Sequence, residues 1–143
     1  MSFYLSYMSK WPDLFTCMES PAGRTMAYII GKAEGKDKEW HGHVSAVTVA
    51  PEYRRLGLAR RLMNDLERIS DDVYKGYFVD LFVRKSNALA IGMYESFGYT
   101  VYREVINYYN GEENAYDMRK AMSLDPEKLS MVPLPHPVHP SDL

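Results

Sequence analysis

A single cysteine, Cys17, cannot close an internal disulfide or assemble a thiolate cluster, which points to a reducing, cytoplasmic location with Cys17 as a small core residue. Charge of neither sign dominates. The 17 Lys and Arg stand against 19 Asp and Glu, a formal −2, which excludes the strongly basic face that holds nucleic acid by bulk electrostatics. No direct nucleic-acid partner is therefore expected. Long apolar runs are also missing: none approaches the roughly 20 residues of a membrane span, and Met1 to Lys10 has no basic stretch leading into an apolar one. The expectation is a chain with no signal peptide and no membrane partner. What is present is a chain of 143 residues, 46% hydrophobic, enough for one domain with a real core.

Periodicity sets the element order. Tyr4, Tyr7, Met8 and Trp11 recur at helical spacing until Pro12, which predicts a short amphipathic helix over Phe3 to Trp11. Leu14 to Glu19 and Met26 to Ala33 read as strands joined by the turn formers Ser20 to Arg24. A strand from His41 to Val49 is stopped by Pro51, and Gly57 to Ile69 carries Leu58, Leu62, Leu66 and Ile69 on one stripe, a helix packed on a sheet. Tyr77 to Val83 is a nearly continuous apolar strand interrupted by Asp80, which needs a partner. Ser86 then reads as the N-cap of a helix ending at Gly98, and strands Tyr99 to Tyr109 and Ala115 to Ala121 flank a hairpin signal at Asn110-Gly111. After Met122, five of the eight prolines (Pro126, Pro133, Pro135, Pro137 and Pro140) mark an extended tail suited to docking along a partner surface. Residues 1–122 are expected as the folded domain and 123–143 as the tail. His136 and His139 lie in that tail without a supporting ligand set, so no metal is expected.

The segment most suggestive of chemistry runs from Val47 to Ala59: a strand, a turn, and a helix opening on Gly57. Such a turn aims successive N–H groups and a helix N-terminus at one point, which suits a pyrophosphate. Gly57 permits close approach of a phosphate, and Arg54 and Arg55 can neutralise further charge. In isolation the same segment also reads as an ordinary strand-to-helix connection with surface arginines. A second group follows the apolar strand: Arg84-Lys85-Ser86-Asn87, then Met93-Tyr94, then Phe97-Gly98-Tyr99. Taken alone, Asn87 reads as a helix-start residue and Tyr94 as core.

Together the two groups resemble GNAT acyltransferases, whose acetyl-CoA signature is matched by Arg54, Gly57 and Ala59 in the pattern Arg-x-x-Gly-x-Ala. The pattern is neither a dinucleotide fingerprint nor a P-loop. The resemblance implies an α/β fold with a mixed central sheet flanked by helices. It implies acetyl-CoA as co-substrate, held by Val47, Val49, Arg54, Arg55, Gly57, Leu58, Ala59, Asn87 and Tyr94, with the pantetheine arm between two splayed strands. No metal enters this chemistry.

Within that superfamily, Glu39 to Val44, Phe78 to Arg84, Val105 to Tyr109 and Pro133 to Val138 look like the catalytic subunits of N-terminal acetyltransferase B. The likeness covers nearly the whole chain. It implies acetylation of the initiator methionine of nascent chains beginning Met-Asp, Met-Glu, Met-Asn or Met-Gln. It also implies an auxiliary subunit as partner, work at the ribosome, and a contact to that subunit through the Phe3 to Trp11 helix. His43 and Ser45 would meet the second residue and Tyr108 and Tyr109 the peptide backbone; a histidine and a hydroxyl can donate to a carboxylate or amide oxygen. His43 equally reads as a strand histidine satisfied by its neighbours. Adjacent strand tyrosines face opposite ways, so only one is expected to reach the peptide unless the strand ends there.

An α-amine is partly neutral near pH 7, so a water chain suffices as base. By resemblance, the N–H of Val47 or Val49 would hold the developing oxyanion, and Tyr94 would protonate the departing thiolate or hold its sulfur. The family opens with a further strand and helix ahead of the point matching Phe3, so an N-terminally shortened fold is expected here. A GNAT acting on a small amine or a lysine, and a non-catalytic partner-binding short form, are the alternatives.

Overall fold

The computed structural model describes residues 14–54 and 57–143; the Phe3 to Trp11 helix and Arg55 lie outside the described residues. Six strands, β1 (Phe15–Glu19), β2 (Thr25–Glu34), β3 (His41–Val49), β4 (Phe78–Arg84), β5 (Thr100–Tyr109) and β6 (Glu113–Ala121), form one sheet in the order β1-β2-β3-β4-β6-β5. Only β3 and β4 run parallel; the other pairs are antiparallel. Helices α1 (Leu58–Asp72) and α2 (Ala88–Ser96) connect β3 to β4 and β4 to β5. This is the mixed sheet with flanking helices that the sequence predicts, and no described helix is long and apolar enough to cross a membrane.

The core forms because one face of the strands is apolar and α1 has a matching stripe. Ala27, Ile29, Val44, Val79 and Leu81 pack against Leu62, Met63 and Leu66. α1 lies close to the sheet: a methyl group on Gly42 would fall 2.2 Å from Ser70 Oγ, and one on Gly31 2.7 Å from Leu66 Cδ1.

Three local expectations are corrected. Cys17 is exposed on β1, which among the described residues is an edge strand paired with β2 alone. The cap of α2 is Asn87, whose Oδ1 accepts from Ala90 N–H at 3.1 Å, while Ser86 Oγ bonds the Glu113 carboxylate across the sheet end. The tail lies on its own chain: Leu134 and Val138 donate to Tyr102 O and Glu104 O, and Ile106 donates back to Val138 O.

Candidate active site

The parallel pairing of β3 and β4 runs from His41 opposite Phe78 to Val44 opposite Leu81 and stops there. The cause is on the other side of β3. Ile30 pairs with Ala46 but Gly31 with Val44, so Ser45 is an extra residue in β3, a bulge that bends and twists the strand away. Beyond it the strands diverge around a cavity of about 260 Å³ lined by Ser45, Val47, Phe82, Asn87, Tyr94 and Tyr109.

Backbone direction along β3 follows from one bond. Ala50 N–H donates to Met26 O at 2.8 Å, toward β2, so alternation turns Thr48 to β2 and the N–H and C=O of Val47 and Val49 toward the gap. Arg54 Nε takes that outward Val49 carbonyl at 3.2 Å, as this parity requires. Two strand N–H groups thus face the space that β4 has vacated.

After Val49 the chain makes a short 3-10 turn, Pro51–Tyr53, and enters α1 through Gly57 at φ +75°, ψ 14°, the left-handed region open to glycine. No side chain among the described residues caps α1, so the N–H groups of Leu58, Ala59 and Arg60 remain for an anion, with the helix dipole behind them. A β-carbon on Gly57 would meet no protein atom within 4 Å, which leaves the turn open on its outer side. Arg54 is exposed beside this turn.

Across the gap, Asn87 spends Oδ1 on capping α2 and has its Nδ2 amide left to offer the cavity. Tyr94 sits about two turns further along α2, buried and set edge-on against Phe97 and Tyr99. Burial, with a smaller contribution from Tyr109, pushes its hydroxyl up to about 12, so it keeps its proton at neutral pH.

The mouth of the gap carries the residues predicted for the peptide. His43 is half-buried, its Nδ1 2.7 Å from Asp80 Oδ1 and its ring edge-on to Phe82 at 5.5 Å. Phe82 meets Tyr108 at 4.9 Å, Tyr108 meets Tyr109 at 5.1 Å, and Arg84 stacks on the Tyr109 ring at 4.3 Å. Both tyrosines reach this region because β5 is irregular between Val105 and Tyr109, where Asn107 takes φ 51° and breaks the alternation. Ser45, the bulge residue, is exposed at the same end.

Asp80 is the functional candidate that residue spacing alone left without a role. It is buried, and it is shared: its Oδ1 also lies 3.3 Å from His41 Nε2, which in turn lies 3.5 Å from Glu34 Oε2. These last contacts are at ion-pair distance without hydrogen-bond alignment, so the attraction there is mainly charge on charge. Burial opposes charge on His41, but the two facing carboxylates prevail and raise it from 6.5 to about 10. The ion pair to His41, against the cost of burial, lowers Glu34 from 4.5 to about 2. Glu34, His41 and His43 bring possible metal-ligating atoms within 4.8 Å of one another, but Asp80 already occupies His43 Nδ1 and faces His41 Nε2, so this donor set is engaged in ion pairs.

The sign of the pH effect follows. His41, raised in the fold, contributes stability fully below its ordinary 6.5 and loses it as pH climbs toward about 10. Glu34, depressed in the fold, contributes fully above 4.5 and loses it toward about 2. The buried Asp117, pushed up from 3.8 to about 7 by burial and by Asp80, costs the fold stability as pH climbs from 3.8 to about 7, a loss complete before most of the range in which His41 acts. The melting temperature is expected to fall as pH rises from 6.5 to 10, and His41→Gln to make that slope shallower; an equal slope in both proteins would remove His41 from the account.

A second cavity, about 380 Å³, opens between the start of β4, β6 and the tail, lined by Tyr77, Tyr102, Arg119 and Leu129 among others. None of the sequence-predicted site residues lines it.

The acetyltransferase (GNAT) family pattern matches residues 3–99. The chain is 59% identical over 143 residues to the N-terminal acetyltransferase B complex catalytic subunit NAA20 of Arabidopsis thaliana, covering 100% of this chain and 82% of that protein. In structure it is similar to Chaetomium thermophilum Naa20 in complex with a bisubstrate analogue, with TM-score 0.90, 42% identity, and 98% of this chain and 83% of that one covered. It is also similar to a chain of the NatB acetyltransferase complex bound to CoA and MES, with TM-score 0.77, 42% identity, and 85% and 81% covered. A β3–β4 gap, an uncapped glycine-led helix and a likeness that spans the whole chain agree, and the chain belongs to the GNAT acetyltransferases and, among them, to the family of N-terminal acetyltransferase B catalytic subunits.

Proposed function

We propose that this chain transfers the acetyl group of acetyl-CoA to the α-amine of the initiator methionine in nascent chains that begin Met-Asp, Met-Glu, Met-Asn or Met-Gln. The observation that carries this reading is the divergence of β3 from β4 at Ser45, because it frees two N–H groups beside a buried, protonated tyrosine. The uncapped start of α1, with Gly57, Leu58, Ala59, Arg54 and Arg55, takes the pyrophosphate; Asn87 and the outward backbone of Val47 and Val49 hold the pantetheine arm along the gap.

The chemistry then asks little of the protein. An α-amine with an ordinary constant of about 8 is sufficiently neutral near pH 7 to attack the thioester carbonyl once positioned, releasing its proton to water. The N–H of Val47 or of Val49 holds the oxygen on which charge builds. Tyr94, a hydroxyl that stays protonated up to about 12, holds the departing sulfur by its O–H or protonates it and takes the proton back from the water that received the amine's. His43 and Ser45 meet the side chain of the second residue, and Tyr108 and Tyr109 flank the peptide.

The likeness to chains of NatB complexes supports an auxiliary subunit as partner. With it, the chain acts on the nascent chain at the ribosome, in the cytoplasm. Acetyl transfer to matched Met-Asp and Met-Lys peptides, with the auxiliary subunit co-expressed, tests the reading. Turnover selective for Met-Asp is expected, whereas equal turnover would indicate a GNAT acting on other amines, and bound CoA without turnover a non-catalytic subunit.

A further inference from the structure

We propose that Asp80 is the positioning residue that makes His43 a reader of acidic second residues, by holding His43 Nδ1–H from behind and stabilising the imidazolium that an incoming carboxylate needs at Nε2. This deepens the proposed function and rests on its placement of His43 at the second residue.

Asp80 stands opposite His43 in the parallel β3–β4 register, the last but one pair before the strands separate. Its side chain is 5% exposed and its Oδ1 is 2.7 Å from His43 Nδ1, so one ring nitrogen is committed to the protein and Nε2 is what the ring can offer a ligand. The ring plane is set by its edge contact with Phe82, which lines the gap.

The consequence lies in donor and acceptor counting. A neutral His43 with its proton on Nδ1 presents a bare Nε2, an acceptor, and a carboxylate is also only an acceptor. An acidic side chain can bond there only if the ring carries a second proton, and the carboxylate at 2.7 Å behind the ring supplies the counter-charge that such an imidazolium pairs with. The amide of Asn or Gln offers a donor as well as an acceptor and fits either state of the ring. Asp80 should therefore matter more for Met-Asp than for Met-Asn.

The surrounding charges fit this role. Lys32 and Glu34 approach from β2, His41 from β3 and Tyr108 from β5, while on β6 Arg119 stands opposite Asp80 and Asp117 opposite Phe82. Burial alone would lift the Asp80 carboxyl; the bonds from His41 and His43 more than reverse this and keep it ionised. Asp80 is thus a carboxylate shared by two imidazoles, one turned inward to Glu34 and one at the mouth of the gap.

The test is Asp80→Asn in the full chain co-purified with the auxiliary subunit, with kcat/KM measured for Met-Asp and Met-Asn peptides at one pH. The amide keeps the shape and can bond Nδ1 but cannot stabilise the imidazolium. The Met-Asp to Met-Asn ratio is expected to fall on the order of tenfold, chiefly through the peptide KM, with the KM for acetyl-CoA unchanged. A ratio that stays put while both activities fall would reduce Asp80 to a structural residue and overturn the proposal. His43→Ala separates the layers: no change of ratio there sinks the placement of His43 itself, whereas a change there without one in Asp80→Asn sinks only the role of Asp80. If Asp80→Asn does not fold, nitrogen NMR of the wild-type His43 ring decides. Nδ1 protonated in the free protein, and both nitrogens protonated with a Met-Asp peptide bound, is the expected result; a bare Nδ1 overturns it.

Discussion

Gly57→Val is expected to weaken acetyl-CoA binding by a hundredfold or more while leaving the fold intact. Two effects add. The residue sits at φ +75°, where a β-branched side chain strains the backbone by about 1–3 kcal/mol. The first turn of α1 also offers its N–H groups from a surface that only a glycine leaves bare, and a valine would stand where phosphate oxygens must approach. Because a β-carbon there meets no protein atom within 4 Å, the loss should appear in ligand binding and not in core packing. Calorimetric titration with acetyl-CoA, beside a thermal melt, separates the two. Retained affinity would place the pyrophosphate elsewhere.

Tyr94→Phe should lower kcat on the order of a hundredfold with acetyl-CoA affinity nearly unchanged, the range expected for losing one positioned proton donor. The ring contacts to Phe97 and Tyr99 survive the substitution, so stability should barely move. The pH profile supplies the sign. A hydroxyl raised to about 12 is protonated throughout the working range, so the wild-type rate should climb with neutralisation of the substrate amine near pH 8 and then level off, with no descending limb from Tyr94 below about 12. A descending limb near 10 that Tyr94→Phe abolishes would mean that Tyr94 titrates as an ordinary exposed phenol. An unchanged kcat in Tyr94→Phe would assign protonation of the thiolate to water.

Local features of this chain were readable in the sequence because their causes are local. The strand His41–Val49 ends before Pro51 for want of a donor, α1 follows Gly57 with its apolar stripe intact, and the β5–β6 hairpin turns at Asn110 and Gly111, both at positive φ. The candidate residues other than Arg55, which lies outside the described residues, fall on the elements read for them for the same reason. What stayed hidden depends on pairing between distant strands. Asp80 announced itself as an acid in an apolar strand, but only the parallel register names His43 and His41 as its partners. Ser45 looked like one more alternating residue until the register with β2 made it a bulge, and nothing local marks it, since a bulge is a mismatch of two strands. Asn107 did carry a signal: asparagine tolerates the left-handed region, and two tyrosines directly after it could have been read as sharing one end of the strand.

The tail also closes the sheet. Leu134 and Val138 turn their amides to β5, at Tyr102 and Glu104, and along the same stretch Pro133, Pro135 and Pro137 carry no N–H. Another chain approaching from that side would find donors missing at three positions and no regular ladder to extend. The prolines that mark the tail as extended in the sequence thereby give the molecule a blunt margin beside β5, where strand-on-strand association is discouraged.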